Sequence, residues 1–241
     1  MTALCLCICW TARAKFVAGV NTYPLEHGYR TYEWKPGETI ITSIVLDIPA
    51  SVRAGAYSFE LGMYSPFDVE RIPTVDEGNL VNDDRILFGP VKRPRPAVTL
   101  PADSVPVKIV LGDELDIIGY RIGALPTGSQ ALQLTLWWRG VRPATEDWTA
   151  FFHITLSANN AKLVGQLDHA ITNHEYPPTV WAAGEVVQEH VQISAAKPQA
   201  GSYAVWMGMY APVTQMRAAV EAGPVMAVDY RALQVEFQVA P

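Results

Sequence analysis

At 241 residues the chain can hold two domains of ordinary size, each large enough to bury a core. Its formal net charge of -6 excludes the broad basic surface that nucleic acid or an anionic membrane would select. Seven Trp and ten Tyr are generous for this length and serve both sandwich cores and sugar stacking.

Taken from the N-terminus, all three cysteines stand in Cys5-Leu-Cys7-Ile-Cys9, where strand spacing would point the thiols to one face. The apolar run from Ala3 to Trp10 is too short to span a bilayer, and only Met1-Thr2 precede it, so no basic n-region of a signal peptide is present. Residues 1–28 are left without an assignment. From residue 29 to 90 the pattern reads as a partial β-sandwich, with strands expected at Thr39 to Ile48 and Ala56 to Tyr64. Five prolines in the stretch from Phe88 to Pro106 cannot serve a central strand, and residues 91–106 read as a stiff linker.

Residues 107–241 read as a second, complete sandwich. Strands are expected at Val107–Leu111, Leu115–Tyr120, Ala131–Trp138, Thr149–Leu156, Val187–Ile193, Tyr203–Tyr210 and Leu233–Val239, most with clean period-two alternation. Turn chemistry sits between them at Leu125-Pro-Thr-Gly128, Ala158-Asn-Asn160 and Lys197-Pro198-Gln-Ala-Gly201. Helical signal is thin, with Thr214 to Ala222 good for a turn or two. The expected class is therefore all-β: two tandem antiparallel β-sandwiches of Ig-like or jelly-roll-like kind, the first incomplete at its N-terminus.

The halves repeat one another at an offset of about 146 residues. Trp34-Lys-Pro-Gly37-Glu38 is answered by Trp181-Ala-Ala-Gly184-Glu185. Leu61-Gly62-Met63-Tyr64-Ser-Pro66 and Arg71 are answered by Met207-Gly208-Met209-Tyr210-Ala-Pro212 and Arg217. Asp83-Asp-Arg85 is echoed by Asp229-Tyr-Arg231. Four expected strands precede Trp181, whereas only residues 1–33 precede Trp34. The first sandwich is thus expected to lack early strands, as in a piece of a longer protein.

The second repeat carries a family resemblance. Leu134-Thr-Leu-Trp137-Trp138, Asp147-Trp148 through His153, Tyr176-Pro-Pro-Thr179-Val-Trp181-x-x-Gly184-Glu185 and Met207-Gly208-Met209-Tyr210 resemble the C-terminal extracytoplasmic region of bacterial protein-mannosyltransferase-like membrane glycosyltransferases. The resemblance covers 107–241 well and 29–90 in part. It implies a non-catalytic accessory sandwich outside the cytoplasm that meets glycan or lipid-linked sugar, tied to the membrane through an upstream region. The transferase part of that family has no counterpart in this sequence, so catalysis is not carried over.

Trp137, Trp148 and Phe151 with Gln133, His153 and Asp147 are the candidate carbohydrate platform, flat rings beside amide and carboxylate groups. Trp34, Gly37, Glu38, Gly62, Tyr64, Tyr176, Trp181, Gly184, Glu185, Gly208 and Tyr210 are read as structural, shaping backbone and filling the interior. His153, Asp168, His169 and His174 match no closed metal-ligand spacing, and no metal or other cofactor is expected. A purely structural spacer remains a second reading. A polysaccharide hydrolase remains a third, needing two carboxylates such as Asp168 and Glu185 across one cleft.

Overall fold

In a computed structural model of the chain every strand ladder is antiparallel, and no α-helix occurs among the described residues. These are 4–25, 28–76, 79–80, 84–123, 131–157, 159–194, 200–222 and 233–239. The expected turn at 125–128, positions 197–199 of the expected turn at 197–201, the turn residue Ala158, and the echo of Asp83 by Asp229 to Arg231 lie outside them. Contacts divide the chain into two units, Met1–Pro94 and Arg95–Pro241.

Unit 1 is built on one four-stranded sheet. Its strands are β1 (Leu4–Thr11), β2 (Phe16–Thr22), β3 (Gly55–Tyr64) and β6 (Arg85–Arg93), in the order β2-β1-β3-β6; a minor pair, β4 (Val75–Asp76) and β5 (Asn79–Leu80), stands apart. The segment that sequence left unassigned thus supplies a central strand and an edge. A tight turn joins them, with Thr11 N donating to Lys15 O and Ala14 in the left-handed region (φ 52). β6 takes Pro90 because it is an edge strand, where a missing N–H costs no ladder bond.

Thr39–Ile48 is a correction. It was expected as a strand, but it pairs with no other described segment. Its alternation survives: Ile40, Ile44 and Leu46 are half-buried, whereas Ile41 and Val45 are 86% and 78% exposed. Periodicity reports which face is apolar; it cannot supply the neighbour that turns an extended segment into a strand.

Unit 2 is a two-layer sandwich. One sheet comprises β7 (Val105–Leu111), β8 (Leu115–Ile122), β9 (Ala131–Gly140), β12 (Val186–Ser194) and β14 (Val220–Ala222), ordered β12-β9-β8-β7-β14. The other comprises β10 (Thr149–Leu156), β11 (Asn159–Ala170), β13 (Gly201–Tyr210) and β15 (Leu233–Val239), ordered β11-β10-β13-β15. The inward alternates Leu132, Leu134, Leu136 and Trp138 of β9 meet Phe152 and Ile154 of β10 and Val205 and Met207 of β13 in one core. Residues 214–219 form a turn instead of a helix, leading into β14.

The expected linker is divided. Val91–Arg93 pair in β6, and Val105–Pro106 pair in β7. Between them, the stretch from Arg95 lies on unit 2: Arg95 donates to Gln188 O at 3.3 Å, and Leu100 fills the space a Cβ at Gly119 would need, 2.4 Å away.

The two four-stranded sheets share strand order and register. β1 pairs with β3 from Leu4↔Tyr64 to Thr11↔Tyr57; β10 pairs with β13 from Thr149↔Tyr210 to Leu156↔Tyr203. The duplication therefore extends through β1 and β2, where no residue identity signals it.

Candidate functional site

The repeated Tyr-x-Pro…Arg element is a turn that folds an arginine back onto a tyrosine. After Tyr64, Ser65 N donates to Glu70 O, Val69 N to Ser65 O and Ile72 N to Met63 O. After Tyr210, Ala211 N donates to Met216 O, Gln215 N to Ala211 O and Ala218 N to Met209 O. Val69 (φ 61) and Gln215 (φ 58) take the same left-handed conformation. The outcome is an isolated bridge in each unit, Tyr64 to Arg71 and Tyr210 to Arg217.

In unit 2 this turn walls a polar pocket of about 250 Å³ lined by Phe151, His153, Asp168, Tyr210, Gln215 and Arg217. β10 contributes Phe151 and His153 two residues apart, on the face turned away from the core. β11 contributes Asp168, the register partner of Phe151. The Arg217 guanidinium lies over the Phe151 ring at 4.9 Å, a cation–π contact. Tyr210 OH donates to Asp168 Oδ2 at 3.3 Å, and its ring stacks against Phe151 at 6.5 Å.

Burial pushes the Tyr210 phenol above its ordinary value, and the Asp168 charge and hydrogen bond push the same way. The neutral form is favoured in the folded state, so its contribution to stability is whole below the ionisation of an unfolded tyrosine, about 10. That contribution is lost as pH rises through the ionisation of folded Tyr210. Ultraviolet difference titration of the protein against Tyr210→Phe is expected to show this phenol ionising above about 10. Asp168→Asn should bring it down; an unmoved titration would contradict the contact.

Unit 1 holds a counterpart of about 430 Å³, lined by Leu4, Leu6, Asn21, Tyr64, Pro66, Val69 and Arg71. Leu6 pairs with Asn21 and Gly62 as Phe151 pairs with Asp168 and Gly208. Tyr64, Val69 and Arg71 stand where Tyr210, Gln215 and Arg217 stand. The repeated glycine has a local reason in unit 1. A Cβ at Gly62 would come within 3.1 Å of Asp84 O and 3.8 Å of Arg71 Nη1. Arg71 here is clamped by buried Glu60 at 2.9 Å and by Asp84 at 3.3 Å; Glu60 also takes the Trp10 indole N–H. The hydrogen bond that Arg71 donates to Glu60 is the main cause raising the Arg71 pKa.

The six residues expected to form a carbohydrate platform are not brought together. Phe151 and His153 line the pocket, but Gln133 and Trp137 belong to β9, in the opposite sheet. Trp137 has no exposed surface at all; it is the register partner of Gly119, over which Leu100 lies. Trp148 is half-buried and donates to Glu114 Oε2 at 2.8 Å, and Asp147 accepts from Thr179 at 3.0 Å. Alternation placed Trp137 outward correctly, but it is silent on what covers an outer face.

The residues expected to be structural divide too. Tyr176 donates to Glu185, whose other oxygen takes Ala182 N at 2.8 Å; Tyr29 donates to Glu38 at 2.6 Å, and the same oxygen takes Lys35 N. Gly184 (φ 79) and Gly37 (φ 81) complete these turns in the left-handed region, where only glycine is at ease. Trp181 is buried and donates to Tyr176 O at 2.8 Å. Tyr64 and Tyr210, by contrast, are half-buried at pocket walls and do not fill the interior. Arg71 and Arg217 went unassigned a role; their shared place in the repeat was the signal.

Of His153, Asp168, His169 and His174, the first two share the pocket and the other two are held elsewhere. His169 Nε2 sits 2.8 Å from Glu189, and His174 sits 3.6 Å from Asp147. Among the described residues no group of three or more His, Cys, Asp or Glu is placed to hold an ion. Asp168 lies in the pocket, whereas Glu185 is held in its turn and is not among the pocket's lining residues.

Fold and site together define a tandem antiparallel β protein with one Tyr–Arg pocket in each repeat. Comparison with protein-family models and with curated proteins finds no match for the sequence.

Proposed function

We propose that the chain is a non-catalytic accessory module that recognises glycan, with the unit 2 Tyr–Arg pocket as its binding site. The observation that carries this reading is the recurrence of the pocket at one register in both repeats. A duplicated concavity with convergent polar groups is the mark of a binding unit. Asp168 accepts, Tyr210 and His153 donate or accept, and Gln215 does both, which suits a ligand rich in neighbouring hydroxyls. Phe151 is only 4% exposed beneath the guanidinium, so recognition rests on hydrogen bonds more than on stacking, and binding is weak, in about the millimolar range. The resemblance to extracytoplasmic glycosyltransferase regions supports the same reading. On this reading the module works in the cell envelope, within reach of lipid-linked sugar.

Isothermal titration against neutral and uronic oligosaccharides, without calcium, tests this. Binding should fall about tenfold or more in Arg217→Gln and Asp168→Asn, as expected when a hydrogen bond to a charged group is lost. A purely structural spacer is favoured by one feature, the clamping of Arg71 by Glu60 and Asp84. No heat with any saccharide would decide for the spacer.

A further inference from the structure

Unit 2 shows what unit 1 lacks. In unit 2 the face of the β11-β10-β13-β15 sheet is covered by the sheet that β7–β9 form beside β12. In unit 1 the matching β2-β1-β3-β6 sheet has no such cover among the described residues. Phe88, Val91 and Ile86, at the register positions of Val235, Phe237 and Leu233, are each about half exposed, whereas Val235 is buried. An apolar cleft of about 410 Å³ opens on this face, between Cys5, Leu61 and Met63 on the sheet and Trp34 and Ile40 above it.

Two further observations mark the same place. Thr39–Ile48 follows the Trp34 turn as β12 follows the Trp181 turn, with Ile40, Ile44 and Leu46 matching Val187, Val191 and Ile193. Yet it has no ladder among the described residues, whereas β12 pairs with β9 from Val186↔Arg139 to Ser194↔Ala131. The Trp34 indole N–H is buried without a partner, whereas that of Trp181 donates to Tyr176 O. An unpaired extended edge beside an open apolar face is a template for added strands.

We propose that this face seats a three-stranded antiparallel meander of the β7–β9 kind, reaching unit 1 from the N-terminal side of β1. Thr39–Ile48 then becomes the fourth strand of the covering sheet. The direction of entry comes from the repeat: β7–β9 precede β10, joined to it by residues 141–148. A second copy of the chain cannot lend its own β7–β9, because Ile109, Leu115, Ile117, Leu134 and Leu136 are already buried in unit 2 and lending them would dismantle it. This inference stands apart from glycan recognition, since it uses the opposite face of the unit 1 sheet from the Tyr64–Arg71 pocket.

The test is amide hydrogen exchange over residues 39–48, in the chain as it is and in a chain with residues 105–148 duplicated ahead of Leu4. In the first the amides should exchange freely, and the protein should sediment as a monomer. In the second they should slow by roughly 100-fold or more, the protection of a paired strand. Placing Ser at the duplicated Ile109, Ile117, Leu134 and Leu136 should abolish the gain. Protection already present in the unmodified chain, as monomer or as dimer, overturns the proposal, because the edge is then paired by something else. An added meander that leaves exchange unchanged overturns it as well.

Discussion

Replacing Glu189 with alanine should destabilise unit 2 by about 3–5 kcal/mol, the cost typical of removing one partner from a buried charged network. Glu189 projects inward from β12, 5% exposed, at the edge where β11 and β12 adjoin. It takes the Trp138 indole N–H at 2.9 Å, the Thr172 N–H, and a contact of 2.8 Å with His169 Nε2. Truncation strands these buried groups, at about 1–3 kcal/mol for each unsatisfied donor. It also frees Thr172, Asn173 and His174, three consecutive non-glycine residues held in the left-handed region. At ordinary urea slopes the midpoint should fall by roughly 1–3 M. Tryptophan fluorescence follows it well, because Trp137, Trp138, Trp148, Trp181 and Trp206 all lie in unit 2. Glu189→Gln, which keeps one acceptor, should lose less than half as much. A loss below about 1 kcal/mol in the alanine variant would show that the network is not closing the sandwich edge.

The second large effect is an asymmetry between repeats. Trp181→Ala should cost unit 2 about 3–5 kcal/mol, because it empties a buried indole site in a packed core and removes the hydrogen bond to Tyr176 O. Trp34→Ala, at the matching position, should cost unit 1 less than about 2 kcal/mol. Its ring is only half-buried and lines an open cleft, so water and neighbours can fill the space. Denaturant melts of the two variants, followed by backbone signal, give the comparison directly. Equal losses would mean that unit 1 has as complete a core as unit 2.

Much of unit 2 could be read from period-two alternation. Leu132, Leu134, Leu136 and Trp138 face in, and β10, β12 and β13 lie within two residues of the expected spans. What failed were inferences about neighbours. Thr39–Ile48 carries the same alternation as β12 but has no ladder partner among the described residues, and no local pattern reveals whether a neighbour is there. β1 and β2 were unassigned because Leu4–Thr11 shares its register with Thr149–Leu156 but not its residues; backbone pairing is duplicated where side chains have drifted. The pocket was half legible. Phe151 and His153 were singled out, but Trp137 drew attention to the wrong sheet: it is fully buried, and Leu100, of a segment read as a linker, lies over its register partner Gly119. Tyr64, Tyr210, Arg71 and Arg217 were visible as repeats, and only the left-handed turn at Val69 and Gln215 shows why tyrosine and arginine travel together.

Two-dimensional amide NMR of the full chain, titrated with the oligosaccharide giving most heat in calorimetry, tests the glycan-binding reading most directly. The expected result is a saturable set of shifts at residues 151–153, 168 and 210–217, absent in Arg217→Gln, with β9 and the Trp181–Glu185 turn unmoved. Shifts centred on β9 around Gln133, or no shifts at saccharide concentrations well above about 10 mM, would contradict it.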